Sequence, residues 1–100
     1  MIQAGDFSSK QSVAVLPFAN QSGDPEQEYL SDGISEEILN ALAQIEGLKV
    51  TSRTSSFHFK GQHISLPEIA DALQVDTILE GSVRQAGERI RITARLIDVT

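Results

Sequence analysis

The chain has 100 residues, of which 40% are hydrophobic and 22% charged; its formal net charge is −6 and it has no cysteine. This composition is ordinary for one small globular domain with a single core. The acidic balance argues against nucleic acid as a partner, and the lack of cysteine excludes disulfides and thiolate zinc sites. No apolar stretch approaches the roughly 20 residues that span a bilayer, so direct membrane insertion is not expected.

The chain begins with a polar segment and continues into an apolar one. Residues 1–11, rich in Ser, Gln, Gly and Asp, are predicted to be a flexible leader, which leaves residues 12–100 as the domain. Residues 12–18 carry apolar side chains on both faces, which indicates a central strand covered on both sides. Pro17 cannot donate a backbone hydrogen bond, so strand pairing should weaken there.

A first helix is predicted after a loop. Asp24 is a suitable N-cap, Pro25 suits the first helical position, and Gln27 stands where a capping box places Glu or Gln. Gly33 predicts a kink or a close contact inside the helix, and Gly47 predicts its end. One stripe of the helix is apolar and is expected to be buried: Leu30, Ile34, Ile38, Leu42 and Ile45.

A short strand and a second helix follow. Residues 48–52 are predicted to be a strand, whereas residues 53–61, with serines and two aromatic side chains, remain ambiguous. Ser65 and Glu68 form a capping-box pattern that begins a helix running to about Gln74.

The carboxyl-terminal quarter has the pattern of a β-hairpin. Residues 89–96 alternate strictly, so one face is expected to be buried. Pairing Arg84 with Arg89 across a four-residue loop, residues 85–88, keeps the apolar positions on one face. That loop is favoured over a two-residue Ala86-Gly87 turn, which would need a positive φ at Ala86. The apolar face comprises Ile90, Ile92, Ala94 and Leu96, and the polar face Arg89, Arg91, Thr93 and Arg95.

These elements predict an α/β fold. Its small mixed sheet, in the order β-α-β-α-β-β along the chain, is packed by two main helices and ends in the hairpin. The last strand lies at the end of the chain, so the sheet is expected to have an open edge, and open edges bind other strands.

With the elements placed, the chain resembles the bacterial TolB amino-terminal-like, or FlgO-like, domain family. Each matching stretch is weakly specific, but their order and spacing together are more so. The stretches are VAVLPF at 13–18, YLSDGI at 29–34, VTSRTSSF at 50–57, LEGSVR at 79–84 and RIRITARLID at 89–98.

The resemblance implies a non-catalytic α/β module of a larger bacterial protein. Such domains lie between an adenylate cyclase catalytic domain or a winged-helix regulator and a tetratricopeptide-repeat region, often near a membrane span. It implies a position on the periplasmic side of a membrane-anchored protein, with the cytoplasm as the alternative. Two features depart from the family. Gln74 replaces a helix-closing glycine, which predicts either strain at Gln74 or a different helix closure, and the family's last strand is expected to be missing.

The arginines of the hairpin are candidate partner-binding residues. They are expected to gather on one face, either as a patch for an acidic partner or as a solvated face balanced by Glu80 and Glu88. The four are Arg84, Arg89, Arg91 and Arg95, of which Arg91 and Arg95 are the first choices for contact.

Two aromatic residues are further candidates. Phe57 and Phe59 either line a peptide or ligand groove or plug the sheet edge, and the second interpretation is favoured. His58 and His63 lack an evident third metal ligand and are interpreted as loop histidines, with a pH sensor as the alternative.

No catalytic set can be assembled. Asp32, Glu36 and Glu37 are interpreted as a solvated helix face rather than as acid–base groups. No catalytic residue, cofactor site or metal site is assigned, and no cofactor is expected.

The sequence therefore predicts a non-enzymatic interaction or sensory module of a bacterial signalling protein. Its partner would be a protein: a neighbouring domain, an extended peptide, or another copy in a homodimer joined at the sheet edge. The alternative is a small-ligand sensor in which the loop of residues 53–63 closes over a molecule.

Overall fold

A computed structural model of the protein describes residues 11–99, so the prediction for residues 1–10 lies outside the described part. The predicted α/β fold is confirmed: a mixed five-stranded sheet is packed by helices and ends in a hairpin. The strands are β1 (Ser12–Val15), β2 (Ala19–Asn20), β3 (Lys49–Val50), β4 (Thr77–Ala86) and β5 (Arg89–Asp98), and the helices are α1 (Glu28–Ala43), α2 (Arg53–Phe57) and α3 (Leu66–Leu73).

β4 is the centre of the sheet. β1 and β2 follow one another along one side of β4, both parallel to it, and β3 continues the sheet beyond β1. β5 runs antiparallel along the other side. Val15 lies opposite Leu79 whereas Ala19 lies opposite Ser82, so the β1–β2 segment holds one extra residue between these pairs. This bulge contains Pro17, where weak pairing was predicted.

The bulge changes which face of the sheet the side chains occupy. Side chains alternate along a strand, so one extra residue turns those that follow to the other face. Val15 and Phe18 therefore share one core cluster with Leu39 of α1, the α1 cluster, although three positions separate them. Leu16 belongs to the second core cluster, the α3 cluster, with Ile69 of α3. The prediction of a central strand covered on both sides is confirmed.

α1 is shorter than predicted at both ends. Asp24 accepts a hydrogen bond from the Glu26 amide (2.9 Å) and caps a 3-10 turn, Pro25–Gln27, which precedes the α-helix. The helix ends before Gly47, which takes a positive φ of 88° in the following turn. Ile45 therefore lies outside the helix and is 51% exposed, so its place in the buried stripe was wrong.

Two serines and one leucine form the most deeply buried face of α1. Ser31, Ser35 and Leu39 are buried, whereas the predicted apolar stripe beside them is only partly buried. The Ser35 hydroxyl accepts a hydrogen bond from the Phe18 amide (2.7 Å) and donates one to the Ser31 carbonyl (2.8 Å), so it satisfies an amide of the bulge. α1 continues through Gly33, where an added Cβ would meet no atom of residues 11–99 within 4 Å beyond the nearby helix backbone, so a close contact was the wrong expectation.

The two later helices have serine caps. Ser52 caps α2, which occupies the segment that the sequence left ambiguous. Ser65 accepts from the Glu68 amide (3.3 Å) and donates to the Glu68 carboxylate (2.9 Å), which confirms the predicted start of α3. α3 closes at Gln74, which takes the left-handed conformation (φ 58°, ψ 48°). The strain predicted for a residue other than glycine there is confirmed.

Candidate interaction surface on the C-terminal hairpin

The hairpin is longer and more tightly closed than predicted. β4 and β5 pair along their whole lengths, and Gly87 and Glu88 form a two-residue turn. Gly87 has a φ of 61°, as the first central residue of a type II′ turn requires, and Glu88 needs no positive φ. The predicted register and four-residue loop were therefore wrong: Arg84 lies opposite Arg91 rather than Arg89, a shift of two residues.

The apolar face of β5 points to the side of the sheet that α1 covers. A shift of two residues keeps each side chain on its face, and Ile92 lies opposite Val83, a member of the α1 cluster. The predicted burial of this face was wrong, however, because Ile90 and Ile92 are 50% exposed and Leu96 is 68% exposed. α1 packs over β1, β2 and β3, so it leaves β5 largely uncovered.

An open apolar groove separates α1 from β5. Its volume is about 490 Å³, and Ile92 forms the β5 wall. Gly33 contributes no side chain, and Tyr29 at the rim is 75% exposed. The remaining lining residues belong to α1: Leu30, Ile34, Glu37 and Ile38.

The opposite face of the hairpin carries the four predicted arginines. Arg95 pairs with Glu80, Nη2 to Oε2 at 2.7 Å, as one of the predicted compensations. The other three form no ion pair within residues 11–99 and line an open cavity of about 550 Å³ at the tip; these are Arg84, Arg89 and Arg91. Arg84 and Arg91 lie directly opposite each other, an arrangement that repels unless an anion lies between them.

β5 is also an edge strand. Of the strands in residues 11–99, only β4 pairs with it, along all ten of its residues. Its other side therefore presents backbone N–H and C=O groups that no described strand uses. The predicted open edge, the arginine face and the exposed apolar face thus meet on one strand.

The structure places the two candidate aromatic residues away from this surface. Phe57 lies under the Arg53 guanidinium, whose carbon is 4.4 Å from the ring centroid. Phe59 packs against the α3 cluster and meets the His58 ring edge-on, with centroids 5.1 Å apart. Neither lines the groove or the arginine cavity.

Phe59 instead lines a second cavity of about 410 Å³ at the carboxyl end of β1. In open α/β sheets, ligands commonly bind at the carboxyl ends of parallel strands. The sequence predicted the loop of residues 53–63 as one wall but gave no sign of the other, which the bulge supplies. The bulge wall consists of Leu16, Pro17, Phe18 and Ala19, and the polar lining includes Glu28, Lys60 and Gln62.

Lys60 joins the loop to α1. Its ammonium lies 2.8 Å from Glu28 Oε2 and 2.6 Å from Asp32 Oδ2. The hydrogen bond from Lys60 lowers the pKa of Glu28. Burial alone lowers the pKa of Lys60, but its bonds to the two carboxylates outweigh burial and raise that pKa.

A second ion pair supports the same connection, since Arg53 Nε lies 2.9 Å from Glu36 Oε2. Two of the three carboxylates predicted to form a solvated helix face, Asp32 and Glu36, therefore hold the segment of residues 53–60. No sequence pattern announced these pairs. Glu37, the third, lines the apolar groove.

Two further features bear on the class of site. His58 and His63 are exposed, and residues 11–99 contain no group of three or more His, Asp or Glu side chains placed to hold a metal ion. In the same part of the chain, no helix combines the length and the apolar character that crossing a membrane demands.

A curated relative is 51% identical over 92 residues. It is named "Putative adenylate cyclase 3" and comes from Rhizobium meliloti (strain 1021). The match covers 92% of this chain but only 16% of that protein, so the chain spans about a sixth of its relative.

Three solved structures share the fold. Lipoprotein GNA1162 from Neisseria meningitidis has a TM-score of 0.65 at 20% identity, covering 88% of this chain and 69% of its own. The hypothetical protein CT253 from Chlamydia trachomatis has a TM-score of 0.58 at 21% identity, covering 90% and 61%. A PelC variant dodecamer from Paraburkholderia phytofirmans has a TM-score of 0.53 at 21% identity, covering 89% and 61%. At these identities the likeness concerns the fold alone.

The family model that matches is described as the second domain of a HilA/YgeH-like transcriptional regulator, and it covers residues 9–100. The expected association with regulators and adenylate cyclases is therefore confirmed in outline. The TolB-like and FlgO-like assignment and the tetratricopeptide-repeat neighbour stay predictions. Because the match spans nearly the whole sequence, the chain belongs to the family of HilA/YgeH-like transcriptional regulator second domains.

Proposed function

We propose that this chain is a non-catalytic protein-interaction module of a larger bacterial signalling protein. The regulator-type family and the much longer cyclase relative support a role as one part of such a protein. The hairpin supplies the mechanism. A rigid edge strand offers backbone hydrogen bonds to a partner, and its arginines select among partners by charge.

The single observation that carries this proposal is the state of β5. All ten of its residues belong to a regular strand, yet none is buried, and its outer backbone edge pairs with no strand in residues 11–99. Exposed apolar side chains on a strand edge favour association. The three arginines that form no ion pair with the described residues provide charge on the opposite face.

Site-specific photo-crosslinking in the full-length protein tests the proposal. A photoreactive amino acid at Thr93, in the middle of β5, should crosslink to a defined segment of a neighbouring domain, of a second copy or of another protein. The same amino acid at Gln44, exposed beyond the end of α1, is the control. Equal crosslinking from both positions, or none from Thr93, would remove the edge strand from the mechanism.

Charge reversal gives a second measurement. The Arg91→Glu/Arg95→Glu double variant should weaken the association found by crosslinking while the circular dichroism spectrum stays unchanged. Since Arg95 already pairs with Glu80, most of the loss should come from Arg91, and Arg95→Glu alone should do less. An unaltered association in the double variant would discard the arginine face.

The cavity at the carboxyl end of β1 favours a second candidate, a small-ligand sensor. Its apolar walls and few polar groups are typical of small-molecule sites. Thermal-shift screening against nucleotides and metabolites should then give a saturable rise in melting temperature. Ala19→Trp, which fills the cavity from β2, should abolish the rise; a screen without such a rise rejects the sensor.

The position on the periplasmic side of a membrane-anchored protein stays a prediction, with the cytoplasm as its alternative. Alkaline phosphatase is active only where its disulfides form. Fused behind this domain in the full-length protein, it should be active if the prediction holds and inactive if the domain lies in the cytoplasm.

A further inference from the structure

We propose that the outer edge of β5, which pairs with no strand in residues 11–99, binds an extended peptide segment in which acidic and apolar residues alternate. This inference rests on the proposed interaction role of the hairpin and specifies the chemistry of its partner. Three features of β5 carry it: the edge itself, the apolar groove on one side and the arginines on the other.

The edge determines the conformation of the partner. A strand added beside β5 must alternate its side chains between the same two faces, because the pleat continues from strand to strand. Every second residue of the partner therefore lies on the side of Ile90, Ile92 and Leu96. The residues between them lie on the side of Arg89 and Arg91.

The α1 side calls for apolar residues. Ile90 and Ile92 are half exposed and Leu96 is 68% exposed. The apolar groove lies next to Ile92, and Gly33 adds no side chain to its lining. Apolar side chains of an added strand would cover these residues and reach the groove. Burial of that kind contributes roughly 25 cal/mol for each Å² removed from water.

The opposite side calls for carboxylates. Half of the eight lysines and arginines in the sequence lie on this hairpin, in a chain whose net charge is −6. Arg84, Arg89 and Arg91 have no carboxylate partner within residues 11–99. A carboxylate between Arg84 and Arg91 would relieve their repulsion and accept charge-assisted hydrogen bonds from both.

The same charges disfavour a second copy in two central registers of β5. If two β5 strands paired antiparallel about a two-fold axis at Thr93, Arg91 of each copy would lie opposite Arg95 of the other. An axis at Ile92 would instead set Arg89 opposite Arg95. Like charges directly opposite each other destabilise a strand pair, so a homodimer is disfavoured in these two registers. An axis at Ala94 sets no arginine opposite another, and sedimentation decides between that homodimer and the acidic peptide.

Fluorescence anisotropy with a labelled peptide tests the inference. The probe is a peptide about as long as β5, with Glu and Val alternating, and its control carries Lys in place of Glu. The Glu peptide should bind the 100-residue chain with an affinity that falls as salt rises, and the Lys peptide should bind about tenfold more weakly or not at all.

Two double variants with the same change in net charge distinguish local binding at β5 from the long-range electrostatic attraction of the whole protein. Arg89→Glu/Arg91→Glu should weaken the Glu peptide about tenfold or more and improve binding of the Lys peptide. Lys49→Glu/Arg53→Glu, on β3 and α2, should change the affinity for either peptide by no more than about twofold, because only the long-range electrostatic effect remains. Equal losses in the two variants would overturn the proposed site.

Amide hydrogen exchange then identifies the edge. Bound Glu peptide should slow the exchange of outward-facing amides of β5 and leave β3, the other edge of the sheet, unchanged. Tyr29→Ser, at the rim of the groove, should weaken binding a few-fold, because apolar area is lost. Protection on β3 alone, or none on β5, would contradict the inference.

The outcomes separate this inference from the proposed function. If the Glu peptide fails to bind while the chain self-associates in sedimentation with β5 protected, the acidic partner is rejected and the interaction role stands. If the peptide fails, the chain stays monomeric and Thr93 gives no crosslink in the full-length protein, both are rejected.

Discussion

The two long strands of the hairpin have equal length and lie side by side, yet they occupy opposite environments. β4 has partners on both sides, and its Ile78 and Val83 are almost completely buried. Within residues 11–99, β5 has one partner strand, and none of its residues is buried. Its alternation is as strict as that of any half-buried strand. Alternation therefore specifies the two faces of a strand, whereas burial depends on what the remaining elements reach.

Truncation of core side chains should show the largest difference between the two strands. Ile78→Ala removes a completely buried side chain and should lower the free energy of unfolding by about 3–4 kcal/mol. Ile90→Ala removes one that is half exposed and should cost about 1 kcal/mol or less. Urea denaturation of both variants measures the contrast, and similar losses would contradict the assignment of β5 to the surface.

The contact between the two strands should be nearly as sensitive. A Cβ at Gly81 would collide with the Thr93 carbonyl oxygen and lie 2.7 Å from the Phe18 ring. Gly81→Ala should therefore force the strands or the ring apart and cost about 2–3 kcal/mol.

Gly33→Ala is the matched control for this substitution. It adds the same methyl group inside α1, where the new Cβ would meet no described atom within 4 Å beyond the nearby helix backbone, and should stabilise the protein by about 0.5–1 kcal/mol. Melting temperatures should thus move in opposite directions. A neutral Gly81→Ala would show that the hairpin packs more loosely than described.

The end of α3, just before β4, offers a smaller and favourable change. Gln74 holds a left-handed backbone conformation that glycine adopts freely. Gln74→Gly should raise the free energy of unfolding by about 1 kcal/mol through relief of the strain. The gain is reduced by the contribution of the hydrogen bond from Gln74 Nε2 to the Asp71 carbonyl (2.8 Å), which the variant loses. Gln74→Ala isolates that contribution, because it keeps the strain and deletes the bond. A Gly variant less stable than the Ala variant would refute the strain.

The smallest effect is the pH dependence of the Lys60 ion pairs, which are partly exposed to solvent. The lowered pKa of Glu28 means that its contribution is present above about pH 4.5 and is lost as the pH falls through the folded pKa. The raised pKa of Lys60 means that its contribution is present below about pH 10.5 and is lost as the pH rises through the folded value.

The stability difference between the wild type and Lys60→Met should therefore be widest between these limits and should narrow in acid and in strong base. Urea midpoints at about pH 3, 7 and 11 measure it. Lys49→Met is the control, since Lys49 forms no ion pair within residues 11–99. A difference that stays constant with pH would exclude the ion pairs as its source.

The parts of the fold that sequence predicted correctly are those with local causes. The serine at position 65 and glutamate three residues later form a cap whatever the rest of the chain does, and a proline in a strand interrupts pairing wherever it stands. The strain at Gln74 followed in the same way, from a side chain where glycine fits.

The errors concern long-range choices. The hairpin register depends on which turn position the glycine occupies, and one residue of difference in turn placement moved every pair by two. The coverage of β5 depends on the position of α1, and the alternation of apolar and polar residues along β5 carries no information about that position. The ion pairs of Lys60 and Arg53 join segments 17 or more residues apart, without any local pattern to announce them.

The single extra residue at the bulge decides the composition of both layers of the interior. It brings the Phe18 ring onto the α1 side, against Gly81, and gives the Ser35 hydroxyl an amide to bind. Deleting one residue there would restore regular alternation, send the aromatic ring toward α3 and leave Gly81 uncovered. Deletion of one residue from the bulge would thus move side chains from one core cluster to the other. The number of residues in the bulge is therefore as strongly constrained as the identity of any buried side chain.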